Sequence, residues 1–221
     1  MLTCSLVSAV AGILLTVGVL TLRRRFFRRD AAPENFIPTE LTEWDRLTMA
    51  YHEAGHAVCS HYLPEREPLL RITIAPGDEA FGMVRTALRP HHNETRVSFA
   101  STLAVLLAGR LSEELFLREV TTSCVHDLAA ARQLAADMVT QLGMGSRSNL
   151  TLPPPEFPVG ESTAGARDAD IRELLADAAR SARVTLLEHR AEVVGLAELL
   201  LARDTLDRHE IEEFFHPRKP V

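Results

Sequence analysis

One segment of the chain has residue types and spacing that could support hydrolysis: His52-Glu53-Ala54-Gly55-His56. On a helix, side chains four residues apart stand one above the other on the same face. The H-E-x-x-H pattern would therefore offer two imidazole nitrogens to one Zn²⁺ and set a carboxylate beside them. Glu53 could reach a water on the metal and act as its general base. The plainer reading is an ordinary helix that happens to carry two histidines. Against it, the pattern sits in the middle of an apolar helical period, where a metal-binding helix would have it.

A catalytic zinc site takes a third protein ligand and keeps one position open. Asp127, in the first turn of a later helix, is the first choice, since a carboxylate there can face back toward another helix. It could equally be an acid favoured by the helix dipole. Glu114 is the second choice, because Glu113 and Glu114 lie on a helix with an apolar face; if not a ligand, Glu114 could orient a ligating histidine. Cys59 follows His52 by seven residues on the same face, but two turns along it is too far to share the metal and reads as a small buried side chain. His126 and Cys124 lie close to Asp127 in sequence and could be packing or solvent residues, and His91-His92 sits in a Pro-flanked loop.

Positioning such a site falls mostly to helices. Thr42 with Asp45 has the form of an N-cap, and Leu47, Tyr51, Ala54 and Val58 recur at helical spacing until Leu63-Pro64, which predicts a helix over 43–62. LRITIA (70–75) and FGMVRT (81–86) flank a turn segment and predict a β-hairpin. A helical stretch over 95–117 has Gly109 as a possible break, and a helix over 125–142 has Gly143 to close it. The Pro-rich stretch 144–165 reads as a mobile surface loop. Residues 167–203 are helical again, and Asp207 with Glu210 predicts a capping box for a last helix through Phe215. The fold class expected is mainly α with a small β-hairpin or sheet, α+β.

The first 29 of the 221 residues are of a different kind. From Leu2 to Leu22 no charge interrupts the chain, and as a helix this run would be about 31 Å long, enough for a bilayer core. Five arginines follow within residues 23–29 and no basic residue precedes the run. The positive-inside rule then predicts a single-pass anchor with the remainder on the cytoplasmic side. Ala9-Val10-Ala11 could mark a cleaved signal peptide, but the apolar run before it is short and a positive n-region is missing. Residues 30–42, with two prolines, read as a linker.

Composition narrows the function classes. Residues 30–221 hold 19 basic against 30 acidic side chains, which argues against nucleic-acid binding. Lys219 is the only lysine, so the chain contains no P-loop and no ATP site of that kind. Three cysteines, Cys4, Cys59 and Cys124, form neither a disulfide framework nor a C-x-x-C pair.

Taken in order, YHEAGHAV (51–58), RITIAPGDEAFGMV (71–84), LAGRLSEEL (107–115), TTSCVHDLAAA (121–131), MVTQLGMG (138–145) and TLDRHEIEEF (205–214) resemble the peptidase domain of the FtsH family of membrane-bound zinc metalloproteases. The resemblance implies a zinc metallopeptidase domain over 43–217. It implies His52, His56 and Asp127 as Zn²⁺ ligands, Glu53 as catalytic base, and Glu114 as a residue that supports a ligand. Polypeptide substrates and a ring, commonly a hexamer, are implied as well. Two departures stand out. The AAA ATPase domain usual before the peptidase is replaced here by a short linker, so any ATPase would be a partner. Where the family usually reads T-T-G-A-S-N-D, this chain reads Thr121-Thr122-Ser123-Cys124-Val125-His126-Asp127.

Two functions follow as expectations. The leading one is a membrane-anchored, ATP-independent zinc endopeptidase that cuts unfolded or exposed protein segments. The alternative is a non-catalytic FtsH-like regulatory or protein-binding subunit.

Overall fold

The computed structural model describes residues 41–75, 82–87, 93–147 and 161–216. The apolar run Leu2–Leu22, the arginine cluster, nearly all of the linker, His91-His92 and most of the Pro-rich stretch lie outside the described residues. Among the described residues no helix is long and apolar enough to cross a membrane.

Helix α1 (Glu43–Tyr62) begins where the sequence predicts. Thr42 caps it with a complete capping box, its hydroxyl accepting from the Asp45 N–H while the Asp45 carboxylate accepts from the Thr42 N–H. The run from Thr48 to Ser60 is buried apart from Tyr51, which is partly buried, so α1 is a central helix with neighbours on nearly every side. Helix α2 (Arg96–Ser112) and helix α5 (Arg190–Arg203) pack against it. Gly55 lets α2 approach closely, for a Cβ there would lie 2.6 Å from Ser112 Cβ and 2.7 Å from the Ala108 carbonyl oxygen.

After Ser112 the coil widens into a π-helical turn, Glu113–Leu117, which ends at Arg118 in the left-handed region (φ 61°). The sequence reading treats 95–117 as one helix with a break at Gly109. The α-helix instead runs through Gly109 and changes its winding at Glu113. A 3₁₀ turn, Thr122–Cys124, leads into α3 (Val125–Thr140), and Gly143 (φ 63°) turns the chain out of it, with the Met144 N–H returning to the Met138 carbonyl.

The expected helix over 167–203 is two helices. Helix α4 (Glu161–Glu188) starts inside the stretch expected to be loop, and α5 follows after a kink at His189. Buried Asp170 of α4 accepts from the Arg147 backbone N–H and from the Ser146 hydroxyl, which pins the segment beyond α3 to α4.

The hairpin is present as β1 (Leu69–Thr73) and β2 (Met83–Thr86), antiparallel, with an irregularity between Leu69 and Arg71. A third strand, β3 (Thr205–Asp207), pairs antiparallel with the other side of β1, giving the order β2-β1-β3. Sequence reasoning misses β3 because the same residues read as the cap of the last helix. They are that too: Asp207 caps α6 (Arg208–Phe215) in a capping box with Glu210. Ile72 and Leu206 from the sheet and Ile74 just beyond β1 join Leu103, Met138, Leu186, Leu196 and Leu200 from the helices in the fully buried core.

Candidate metal centre

His52 and His56 lie on the face of α1 that meets α2 and the start of α3. Their Nε2 atoms are 3.0 Å apart, and Asp127 Oδ2 lies 3.1 Å from the first and 3.2 Å from the second. The two histidines are buried and Asp127 is partly so. Asp127 reaches them from the first turn of α3, where the helix dipole also favours a carboxylate.

The outer ring nitrogens fix which atoms face the centre. His52 Nδ1 is 2.6 Å from Glu113 Oε1, and His56 Nδ1 is 2.7 Å from the Val105 carbonyl oxygen, which can only accept. With their Nδ1 protons directed outward, both imidazoles turn Nε2 lone pairs inward, toward each other and toward a carboxylate oxygen. Three lone-pair donors converging in this way form a donor set for a cation, and two nitrogens with one oxygen suit Zn²⁺. Gly109 completes the cradle. A Cβ at that position would lie 2.5 Å from His52 Nε2 and 2.6 Å from His56 Nε2, so the helix must be bare where the rings abut it.

Charge points the same way. Burial lowers the pKa of His52, but the hydrogen bonds to Asp127 and Glu113 and the charges of Glu53 and Glu113 outweigh it, and the imidazole is pushed up to about 9. Burial opposes ionisation of Asp127 as well, yet the two histidines hold it well below the usual carboxylate range. The surroundings therefore favour positive charge between these side chains.

Glu53 occupies a different environment. Burial, the leading cause, raises its pKa, partly offset by His56 and His52. Its Oε2 is buried and has no hydrogen-bond partner among the described residues. Gly82, just before β2, lies against this carboxylate: a Cβ there would fall 2.4 Å from Glu53 Oε1. The first residues of β2 thus adjoin the acid.

The structure corrects the expectation for Glu114. Its carboxylate turns away from the histidines and pairs with Arg110 at 3.0 Å and Arg183 at 2.9 Å, with 39% of the side chain exposed. The acid beside His52 is Glu113, fully buried, whose Oε1 also accepts from the Ser123 hydroxyl at 2.7 Å and whose Oε2 accepts from the Thr121 N–H at 2.6 Å. Burial opposes ionisation of Glu113, and these three hydrogen bonds more than compensate, so its pKa is lowered. The E-E pair was the available signal, but an α-helical wheel extended past Ser112 cannot choose between its members, because the turn that carries them is not α-helical.

Cys59 is buried against α4, its Sγ 3.9 Å from the Ala182 carbonyl oxygen, with burial pushing the thiol up to about 12. It takes no part in the group. His126 is exposed on α3, and Cys124 is buried with its Sγ 3.3 Å from the Thr121 carbonyl oxygen.

Comparison with known proteins agrees with this geometry. The profile of peptidase family M41 matches residues 39–214. The chain is 33% identical over 182 residues to the mitochondrial inner membrane m-AAA protease component AFG3L2 of Mus musculus, covering 79% of this chain and 23% of that protein. It is 32% identical over 225 residues to the ATP-dependent zinc metalloprotease FtsH 1 of Thermomicrobium roseum (93% and 33%), and 35% identical over 193 residues to the ATP-dependent zinc metalloprotease FtsH of Nitrosococcus oceani (80% and 30%). The chain spans between about a quarter and a third of the length of these relatives. A donor set that fits zinc, two of its members on the H-E-x-x-H helix and the third on α3 of a domain matched along nearly all of its described length, leads to one assignment: the chain belongs to peptidase family M41, a family of zinc metalloproteases.

Proposed function

We propose that this chain is a zinc endopeptidase in which His52, His56 and Asp127 hold the metal and Glu53 is the general base. The observation that carries the reading is the convergence of His52 Nε2, His56 Nε2 and Asp127 Oδ2 within 3.2 Å of one another, beside a buried carboxylate with an oxygen that has no partner among the described residues. A bound Zn²⁺ supplies Lewis acidity, polarising the scissile carbonyl and acidifying water.

The chain's own residues account for the proton. Glu53, made more basic by burial, accepts it from the attacking water and returns it to the leaving amine as the peptide bond breaks. Its place beside the start of β2 suits a substrate aligned with that strand. In the order β2-β1-β3, β2 has one side unpaired among the described residues, where an extended polypeptide can add by main-chain hydrogen bonds with little demand on sequence. Unfolded or exposed segments are the substrates such a site accepts.

The apolar run Leu2–Leu22 and the arginines after it support a single membrane anchor that keeps the peptidase on the cytoplasmic side. Since the chain has no P-loop, the proposal is for cleavage without ATP, or with an ATPase acting as partner. Assembly into a ring, a hexamer by resemblance, belongs to the same proposal.

The test uses the full chain in detergent with an unstructured protein as substrate. Wild type loaded with zinc is expected to cleave it, while Glu53→Gln keeps its zinc and loses cleavage, and chelation abolishes cleavage by wild type. Undiminished turnover by Glu53→Gln would overturn the role of Glu53. Zinc bound without any cleavage would favour a regulatory, protein-binding subunit.

A further inference from the structure

We infer that Ser123 is a positioning residue that moderates the metal centre: its hydroxyl shares the Glu113 oxygen that holds His52, and so weakens the pull of Glu113 on the His52 ring. The inference rests on the proposed role of His52 as a metal ligand.

The geometry is specific. Glu113 Oε1 faces two donors at nearly equal range, His52 Nδ1 at 2.6 Å and Ser123 Oγ at 2.7 Å. Oε2 is engaged separately by the Thr121 N–H at 2.6 Å. Glu113 is fully buried, so these protein donors take the place of water around its charge. Ser123 has one hydroxyl proton. Its oxygen also lies 2.7 Å from Thr121 Oγ1, which can supply a proton in turn, and 3.3 Å from His52 Nδ1, whose proton goes to the nearer and charged Glu113 Oε1; the Ser123 N–H points back at Thr121 Oγ1 at 3.3 Å. The consistent assignment is a relay in which the Thr121 hydroxyl donates to Ser123 Oγ and the Ser123 hydroxyl donates to Glu113 Oε1. Each bond in such a chain polarises the next.

An acceptor beyond the metal raises the basicity of a ligating imidazole by drawing on its outer N–H. A carboxylate oxygen that already accepts a strong hydrogen bond is a weaker acceptor for a second donor. The Ser123 hydroxyl therefore lowers the electron density that His52 Nε2 can offer a cation, and with it the affinity for zinc. It is not needed to keep Glu113 in place, because His52 Nδ1 and the Thr121 N–H hold one oxygen each. Position 123 is also where this chain has serine and the resembling pattern has glycine, which carries no hydroxyl. The residue itself is exposed, so its replacement leaves the core intact.

The experiment measures zinc affinity of the full chain in detergent by competition with a chromophoric chelator, for wild type, Ser123→Ala, Ser123→Thr, Glu113→Gln, Ser123→Ala/Glu113→Gln and His56→Ala. The Co²⁺-loaded forms give an absorption spectrum as a second readout. Ser123→Ala is expected to bind zinc roughly 3- to 10-fold more tightly, a fraction of the effect typical of residues beyond the metal. Its Co²⁺ spectrum should shift, Ser123→Thr should restore wild-type behaviour, and in the Glu113→Gln background the alanine change should have no effect. Equal or weaker zinc binding by Ser123→Ala would overturn the inference, as would a gain that persists without the Glu113 carboxylate. If His56→Ala binds zinc as well as wild type, the metal reading itself fails and the inference with it.

Discussion

The His52 ring is clamped at both nitrogens, with Glu113 Oε1 2.6 Å from Nδ1 and Asp127 Oδ2 3.1 Å from Nε2. One acid comes from the π-helical turn after α2 and the other from the first turn of α3. A single imidazole on α1 thus joins two later segments of the chain, and the outer acid calls for the same experimental test as the inner one. Glu113→Gln preserves the shape of the side chain but removes its charge. Zinc affinity is expected to fall about 10- to 100-fold, read by chelator competition, with secondary structure unchanged by circular dichroism.

Gly109 of α2 has no room for a side chain. In Gly109→Ala the new methyl would lie 2.5 Å from His52 Nε2, and the rings are held from behind by Glu113 and the Val105 carbonyl. The expected outcome is loss of stoichiometric zinc, measured by elemental analysis, although alanine is intrinsically the better helix former by about 1 kcal/mol. A variant that gains stability and keeps its zinc would contradict the close approach.

Asp170 is a structural acid, remote from the histidines in sequence and in role. It is buried, and it accepts from the Ser146 hydroxyl and from the backbone N–H and guanidinium of Arg147. Asp170→Ala strips partners from these donors and is expected to destabilise the domain by about 2–3 kcal/mol, measured by urea unfolding. Arg147→Ala, which removes only the exposed partner, should have a much smaller effect.

A pH response is expected at the contact between α1 and α6. His61 stacks on Phe215 with ring centroids 4.0 Å apart, and His216 and His189 lie nearby; His61 borders a cavity whose charged and titratable lining also includes Arg66, Glu67, Arg208, His209, Glu212 and Glu213. Burial, followed by His216 and His189, lowers the His61 pKa from its ordinary 6.5. The fold therefore prefers the neutral ring. Between the depressed folded value and 6.5 the unfolded chain binds more protons, so stability falls as pH drops below about 6.5 and the loss is complete once pH is below the folded value. Melting temperature followed from pH 8 to pH 5 should decline less steeply in His61→Phe than in wild type.

Much of this domain is legible in the sequence because helix ends are written in short polar signals. Asp207 with Glu210 forms the capping box that its spacing suggests, and the N-cap read at Thr42 with Asp45 is a complete capping box as well. His52 and His56 meet because a spacing of four residues is one helical turn, and Asp127 joins them from a first turn where an acid is at home. What escapes local reading is set by tertiary contact. Glu113 faces inward and Glu114 outward because the coil widens at that pair, and a wheel drawn from α2 assumes constant winding. The kink at His189 is hidden because neither glycine nor proline marks it and the apolar period continues across it. Gly109 looks like a helix breaker until the imidazoles above it are known, and Thr205–Asp207 looks like a cap until β1 is found alongside.

The pairing of β3 with β1 also governs the order in which this chain can be built. Arg71 and its partner Asp207 are separated by 136 positions, whereas everything from His52 to Asp127 is available once α3 has been synthesised. On the ribosome the helices around the histidines can therefore meet long before the sheet is complete. Until Thr205 emerges, β1 keeps an open edge on the side away from β2, and an open strand edge is a template for pairing with other chains. A product truncated before β3 would carry its histidines in place and still be prone to aggregate through an unfinished sheet.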